Sequence, residues 1–257
     1  MMTEKILHYI NKIEKEREIK ILLACETGSR AWGFPSPDSD FDVRIIYVHK
    51  KDWYLSLSDK KDSVELMFEN NDIDITGWDL RKSLKLLQKS NASIIERIQS
   101  PILYKSDPEF LGKINELANS HYSKIATMHH YLSMAKKFIH ELKENEEYKL
   151  KKFFYALRSA VACKWILVKA EMPPIEFQKM LDELDIDPKL LKRINELIAL
   201  KATISEAYLH IGEFELFEFI DACINAADEQ RNTLPSSKGN MDELNTFFLK
   251  TISDNDN

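Results

Sequence analysis

TGSRAWGFPSPDSDFDVR, residues 27–44, decides the fold class of this chain. A Gly-Ser turn at Gly28-Ser29 is followed by a turn-rich spacer. An Asp-x-Asp pair, Asp40 and Asp42, then enters an apolar run from Val43 to Val48. A small turn lets backbone N–H groups approach phosphate oxygens. Carboxylates two apart on a strand face the same side. Together they are the parts needed to hold a nucleoside triphosphate and its magnesium ions.

On an extended strand the Asp40 and Asp42 Cα atoms would sit about 7 Å apart, with carboxylates able to converge further. Two such anions at about 4 Å repel by roughly 1–4 kcal/mol, depending on the local dielectric. No Lys or Arg lies between them, and Phe41 and Val43 alternate to the other face. A hard divalent cation, Mg²⁺ or Mn²⁺, is the expected partner, since it takes one or two carboxylates and fills its other positions with phosphate and water. Arg44 is expected on the face opposite Asp42, where an ion pair and a phosphate contact are both open. Trp32 is expected to pack the loop, with cover for a nucleotide as the other reading.

The surroundings predict strands. Ile19 to Cys25 is a strand-length apolar run preceded by an amphipathic helix over about Thr3 to Glu16. Gly33, Pro35, Ser36, Pro37 and Ser39 keep the connection irregular. After a polar interruption from Lys50 to Asp62, Val64–Glu69 and Ile73–Gly77 read as two strands joined at Asn70-Asn71, residues that tolerate positive φ. Asp74 alternates with Ile73 and Ile75, so it faces away from the core, either onto a solvated sheet face or into a site as a third carboxylate; Asp72 has the same parity and competes for the role, but sits in the turn. Three carboxylates on neighbouring strands suit two metal ions and in-line phosphoryl displacement. The third acid is also placed to help deprotonate an acceptor hydroxyl.

The series Gly28-Ser29, Asp40-Phe-Asp42 and a later Asp74 resembles the DNA-polymerase-β-type nucleotidyltransferase superfamily. The fuller strings GSRAWG, SDFDVR, DIDITGWDLRKSL and IQSPILY, with KKFFYALRSAVACKWI and MPPIEF further on, resemble the predicted bacterial and phage nucleotidyltransferases described as RlaP-like or YcgL-like. The resemblance covers most of residues 20–180. It implies an enzyme that moves a nucleoside monophosphate from an NTP donor to an acceptor hydroxyl and releases pyrophosphate. Asp40, Asp42 and Asp74 would be the catalytic and metal-holding set. Gly28 and Ser29 would bind the triphosphate, and Arg30 falls in the matching string beside them. The implied acceptor is an RNA terminus, with a protein side chain or a small molecule also compatible. The alternative is a catalytically idle nucleotide-binding or regulatory module on the same fold.

The later sequence reads as helices. Asp79 is an expected N-cap for a helix running to about Ile98, Pro101 stops it, and Ile102–Tyr104 is expected to form another strand. Asp107-Pro108 opens another helix. From about His121 to Arg231 helices are broken at Pro173-Pro174, Asp187-Pro188 and Gly212. Within Glu147–Ala170, Leu150, Phe153, Phe154, Leu157, Val161 and Val168 form an apolar stripe. Another face carries Lys151, Tyr155, Arg158, Trp165 and Lys169, cations interleaved with aromatics that suit a triphosphate and a base. The other reading of this face is a solvated one with apolar stems laid along the helix; Tyr155 and Arg158 lie in the matching YALR string, which implies a nucleotide or acceptor contact.

The expected architecture is α+β: a small mixed β-sheet nucleotidyltransferase core flanked by helices, then a mostly α-helical C-terminal region. Expected domains are 1–115, 116–231 and a linker with a short helix and tail over 232–257. The formal net charge of −6 argues against a nucleic-acid binder held by bulk charge, though it leaves room for a local basic groove. Cys25, Cys163 and Cys223 are odd in number and far apart, which favours reduced thiols over disulfides or zinc. Adjacent His129 and His130 point to different helix faces and make a poor metal pair. No signal peptide and no stretch of roughly 20 apolar residues is evident, so the expected location is the cytoplasm, away from the membrane.

Overall fold

The computed structural model describes residues 2–235 and 239–256. It divides into two compact units, each discontinuous in sequence: Met1–Ala31 with Asp40–Tyr122 and Lys238–Asn257, and Trp32–Ser39 with Ser123–Ser237.

The first unit is α+β. Its elements are α1 (Met2–Arg17), β1 (Lys20–Glu26), α2 (Gly28–Trp32), β2 (Phe41–Val48), α3 (Lys51–Tyr54), β3 (Ser63–Phe68), β4 (Ile73–Asp79), α4 (Leu80–Gln88), α5 (Ala92–Gln99), β5 (Leu103–Ser106) and α6 (Pro108–Ser120). The strands form one mixed sheet in the order β3-β4-β2-β1-β5. Only β2 and β4 run parallel, and their register sets Asp42 opposite Asp74 and Arg44 opposite Thr76. Period-two alternation sends Val43, Ile45 and Tyr47 of β2, with Ile73 and Ile75 of β4, into the core. Ile6, Ile10 and Ile13 of α1, spaced to share one helix face, close over that side and are fully or almost fully buried. Burying each such side chain is worth about 1.5–3 kcal/mol. The opposite strand parity carries Asp42, Arg44, Asp74 and Thr76.

Local chemistry explains the boundaries. Glu69, Asn70 and Asn71 all have positive φ, so the β3–β4 connection turns where the paired asparagines predict it, with a single turn of 3₁₀ helix. Asp79 caps α4 by accepting from Arg81 N–H at 2.8 Å. The one helix expected from Asp79 to Ile98 is two: Ser90 takes φ 49° and Asn91 recaps the chain by accepting from Ser93 and Ile94. Asp107 caps α6, with Pro108 at its first position.

The second unit is helical, comprising α7 (Lys124–Lys143), β6 (Tyr148–Lys149), α8 (Leu150–Lys169), α9 (Phe177–Glu183), α10 (Pro188–Lys201), β7 (Leu209–His210) and α11 (Phe214–Gln230). The two short strands pair antiparallel. Helix α8 is central, packed by α7, α9 and α11. Trp32–Ser39 forms part of this unit: Phe34 stacks on Phe154 at 4.8 Å, and Lys201 donates to Ser36 Oγ at 3.0 Å. Asp38 accepts from Glu206 N–H at 2.9 Å, and Ser39 donates to the Glu206 carboxylate at 2.8 Å.

The chain order of domains is therefore less simple than 1–115, 116–231 and 232–257. Residues 32–39 leave the first unit, and the last helix, α12 (Met241–Asp256), returns to it and packs on α4, α3 and β2. The linker expected at the start of 232–257 falls partly on 236–238, outside the described residues. All three cysteines are buried free thiols. Among the described residues no helix is long and apolar enough to cross a membrane.

Candidate active site

The site is assembled where β1 ends and β2 begins. Glu26 closes β1 as a fully buried carboxylate. Its Oε1 accepts the Asp42 N–H at 2.6 Å, and its Oε2 accepts the Tyr104 hydroxyl. Thr27 N–H donates to the Asp42 carbonyl at 2.9 Å. Residues 26 and 27 thus grip the backbone of Asp42 from both sides. Burial lifts the Glu26 carboxyl to about 7, and the neighbouring charge of Asp42 pushes the same way. The hydrogen bonds from Tyr104 and the Asp42 N–H oppose that rise. The strand extends one residue past the expected Cys25 end, to Glu26, which the sequence analysis does not single out. The available signal was an acid at the end of an otherwise apolar strand, directly before the turn.

Gly28 follows with φ +63°. A Cβ there would overlap Asp42 Oδ2 and stand 3.0 Å from Asp42 Cγ, so the turn lies flat against the carboxylate. Ser29, in the first turn of α2, is buried. Arg30 stacks its guanidinium over Phe41, 3.8 Å from the ring centroid, and donates from Nε to the Asp40 carbonyl at 3.1 Å. It therefore fixes the approach to β2. Asp40 itself is exposed just ahead of that strand.

Asp42 and Asp74, neighbours across the parallel pair, are joined by Arg44. Its Nη2 donates to Asp42 Oδ1 at 2.7 Å and its Nη1 to Asp74 Oδ2 at 2.9 Å. Nη1 also reaches Thr76 Oγ1 at 3.3 Å, and Thr76 donates to Asp74 Oδ1 at 3.3 Å. The expectation that Arg44 faces away from Asp42 is corrected: residues two apart on a strand share a face. Of the two roles left open for Arg44, the ion pair is the one present.

The donor set suits a hard cation, because Asp42 and Asp74 offer carboxylate oxygens from adjacent strands beside a turn with no side chain. In the present arrangement the guanidinium occupies the space between them. Among the described residues no three His, Cys, Asp or Glu side chains converge as a ready metal cage.

Tyr155 and Arg158 belong to the helical unit. Tyr155 packs edge-on to Trp32, centroids 5.2 Å apart, and against Phe138 at 5.1 Å. Arg158 is 2% exposed, lies over Trp32 at 4.4 Å and donates to the Ile175 carbonyl at 3.0 Å. The cationic face expected on α8 is thereby corrected. Arg158 and Trp165 are buried while Val168, expected in the apolar stripe, is exposed. The cause is that α8 is covered on several sides. Its run of Ala156, Ser159, Ala160, Ala162 and Cys163 is the signal of a helix packed closely all round. Trp32 is itself buried and packs as expected.

The chain is 35% identical over 254 residues to the uncharacterized protein YcgL of Bacillus subtilis (strain 168), covering 98% of this chain and 97% of that protein. A shorter match, 26% identical over 121 residues, links 46% of this chain to 11% of the tRNA (34-2'-O)-methyltransferase regulator WDR6 of Drosophila melanogaster. Among solved structures, a nucleotidyltransferase-like protein from Exiguobacterium sibiricum 255-15 is similar at 9% identity and a TM-score of 0.34, over 89% of this chain and 75% of that one. The family model for the RNA repair pathway DNA polymerase beta family matches residues 2–250. With that match across nearly its whole length, the chain belongs to the RlaP family.

Proposed function

We propose that the protein transfers a nucleoside monophosphate from an NTP to an acceptor hydroxyl, releasing pyrophosphate, with an RNA terminus as the acceptor. Membership of a DNA polymerase beta family supports nucleotidyl transfer, and the family's description as an RNA repair pathway supports the acceptor. The observation that carries the reading is the register of Asp42 against Asp74 on parallel strands, with Gly28 flat against Asp42.

In this reading the Gly28-Ser29 turn presents backbone N–H groups to the leaving phosphates. Asp40, Asp42 and Asp74 would hold Mg²⁺ or Mn²⁺, which when bound supplies charge stabilisation for phosphoryl displacement. Asp74 receives the acceptor hydroxyl's proton as that oxygen bonds to the α-phosphorus and the bond to pyrophosphate breaks. Glu26 and Thr27 keep Asp42 in place throughout.

Labelled-NTP transfer to an RNA panel, alongside protein and small-molecule acceptors, tests this. Asp42→Ala and Asp74→Asn should each lower transfer by at least about a hundredfold while keeping a native melting curve. Wild-type rates in both variants would remove the site. The ion pairs of Arg44 give one reason to keep an idle nucleotide-binding module in view. Its signature is nucleotide binding without pyrophosphate release across the whole panel.

A further inference from the structure

Two anions on neighbouring strands need a counter-charge, and this chain supplies its own. Arg44 lies two residues beyond Asp42 on β2 and opposite Thr76 of β4, so its side chain starts on the face that holds both carboxylates. The fork of the guanidinium spans them, Nη2 on Asp42 Oδ1 at 2.7 Å and Nη1 on Asp74 Oδ2 at 2.9 Å. Its side chain is 18% exposed, so solvent screens the pairs only in part. A second guanidinium stands behind. Arg97 is buried, stacked over Trp78 at 3.4 Å, and donates to the carbonyl of Ile45 at 3.2 Å. Arg44 thus sets one fixed cation between Asp42 and Asp74, and the Arg97 charge also acts on Asp74.

A divalent cation entering between Asp42 and Asp74 meets a guanidinium already there. It must take oxygens that Arg44 holds while bearing the repulsion of Arg44. A triphosphate changes that balance. It brings several negative charges and phosphate oxygens that a planar guanidinium binds as well as it binds carboxylates.

We propose that Arg44 is a positioning residue that stands in for the divalent cation in the nucleotide-free protein and yields the carboxylates when an NTP offers phosphate oxygens in exchange. Metal binding is then conditional on nucleotide, so the free enzyme does not hold an activated metal pair. This rests on the reading of Asp42 and Asp74 as metal-holding residues.

Mn²⁺ titration followed by electron paramagnetic resonance tests it without any turnover, with and without a saturating non-hydrolysable NTP analogue. In the nucleotide-free protein Arg44→Gln should bind Mn²⁺ at least about tenfold more tightly than wild type, because one repelling charge is gone and two carboxylates are released. Saturating analogue should shrink that gap. Arg44→Lys keeps the charge but loses the planar fork, so it should fall between the two, and it serves alone if Arg44→Gln does not fold. Equal or weaker Mn²⁺ binding by the folded variants, with wild type binding Mn²⁺ in the presence of analogue, overturns the role of Arg44 and leaves the metal site standing. No Mn²⁺ binding by wild type even with analogue overturns the metal-site reading and this inference with it.

Discussion

Gly28 is constrained twice. Its φ of +63° costs an L-residue roughly 1–2 kcal/mol, and a Cβ would collide with the Asp42 carboxylate. Gly33 has a positive φ too, +94°, but nothing lies within 4 Å of the place its Cβ would take. The pair separates strain from collision. Gly33→Ala should lose only about 1–2 kcal/mol of stability by denaturant unfolding and keep its transfer rate. Gly28→Ala should lose more stability and also most of its activity, since Asp42 must move. Equal activity in the two variants would mean that contact between the turn and Asp42 is irrelevant to chemistry. At this scale the sequence shows the acids and the glycine plainly, because Gly-Ser and Asp-x-Asp have few structural uses in common. It hides Arg158, since an arginine in a helical stripe reads as solvated until the covering helices are known. Arg44 was readable from strand parity alone, two residues beyond Asp42.

Among the elements, the apolar runs of β1, β2 and β4 and the Asp79 and Asp107 caps follow from local chemistry that acts wherever the chain is placed. The break between α4 and α5 does not. Leu80, Leu84 and Leu87 continue in register with a single helix, and it is Asn91, competing for backbone donors, that ends the first and caps the second. Equally hidden is the junction after β2. His49 stacks on Trp53 of α3 at 3.9 Å, Tyr54 donates to Asp79 at 2.6 Å, and Asn255 of α12 donates to the His49 carbonyl at 3.1 Å. Burial, with a smaller contribution from Lys60, lowers His49 to about 4. The unfolded histidine titrates near about 6.5. A depressed folded value favours the neutral ring, so the stabilisation is complete above the unfolded value and is lost as pH falls through the folded one. Between about pH 6.5 and 4 the wild type should therefore lose up to roughly 2–3 kcal/mol relative to His49→Gln, which has nothing to titrate. Urea unfolding of both proteins at pH 7.5, 6 and 4.5 reads the difference directly. A gap that stays constant with pH would show that His49 is protonated as easily in the fold as out of it.

Over the whole molecule, the motif that decides the fold is shared between two units. Gly28-Ser29 and Asp40-Asp42 belong to the α+β unit, while Trp32–Ser39, the chain that joins them, belongs to the helical one. No local signal marks this, because Trp32, Phe34 and the prolines suit an irregular loop and become core only through partners far along the chain. Phe34 is the test residue. It is 2% exposed, stacked on Phe154 and edge-on to Phe177 at 5.6 Å. Phe34→Ala should cost about 3–5 kcal/mol, a large share of the roughly 5–15 kcal/mol that holds a domain folded. If the two units have separate cores, the loss is local. Amides of α8 and α9 should then exchange with solvent markedly faster, while those of β1, β2 and β4 keep their protection. Equal acceleration throughout the chain would show that the two units unfold as one, and that the α+β core depends on the helices for its stability.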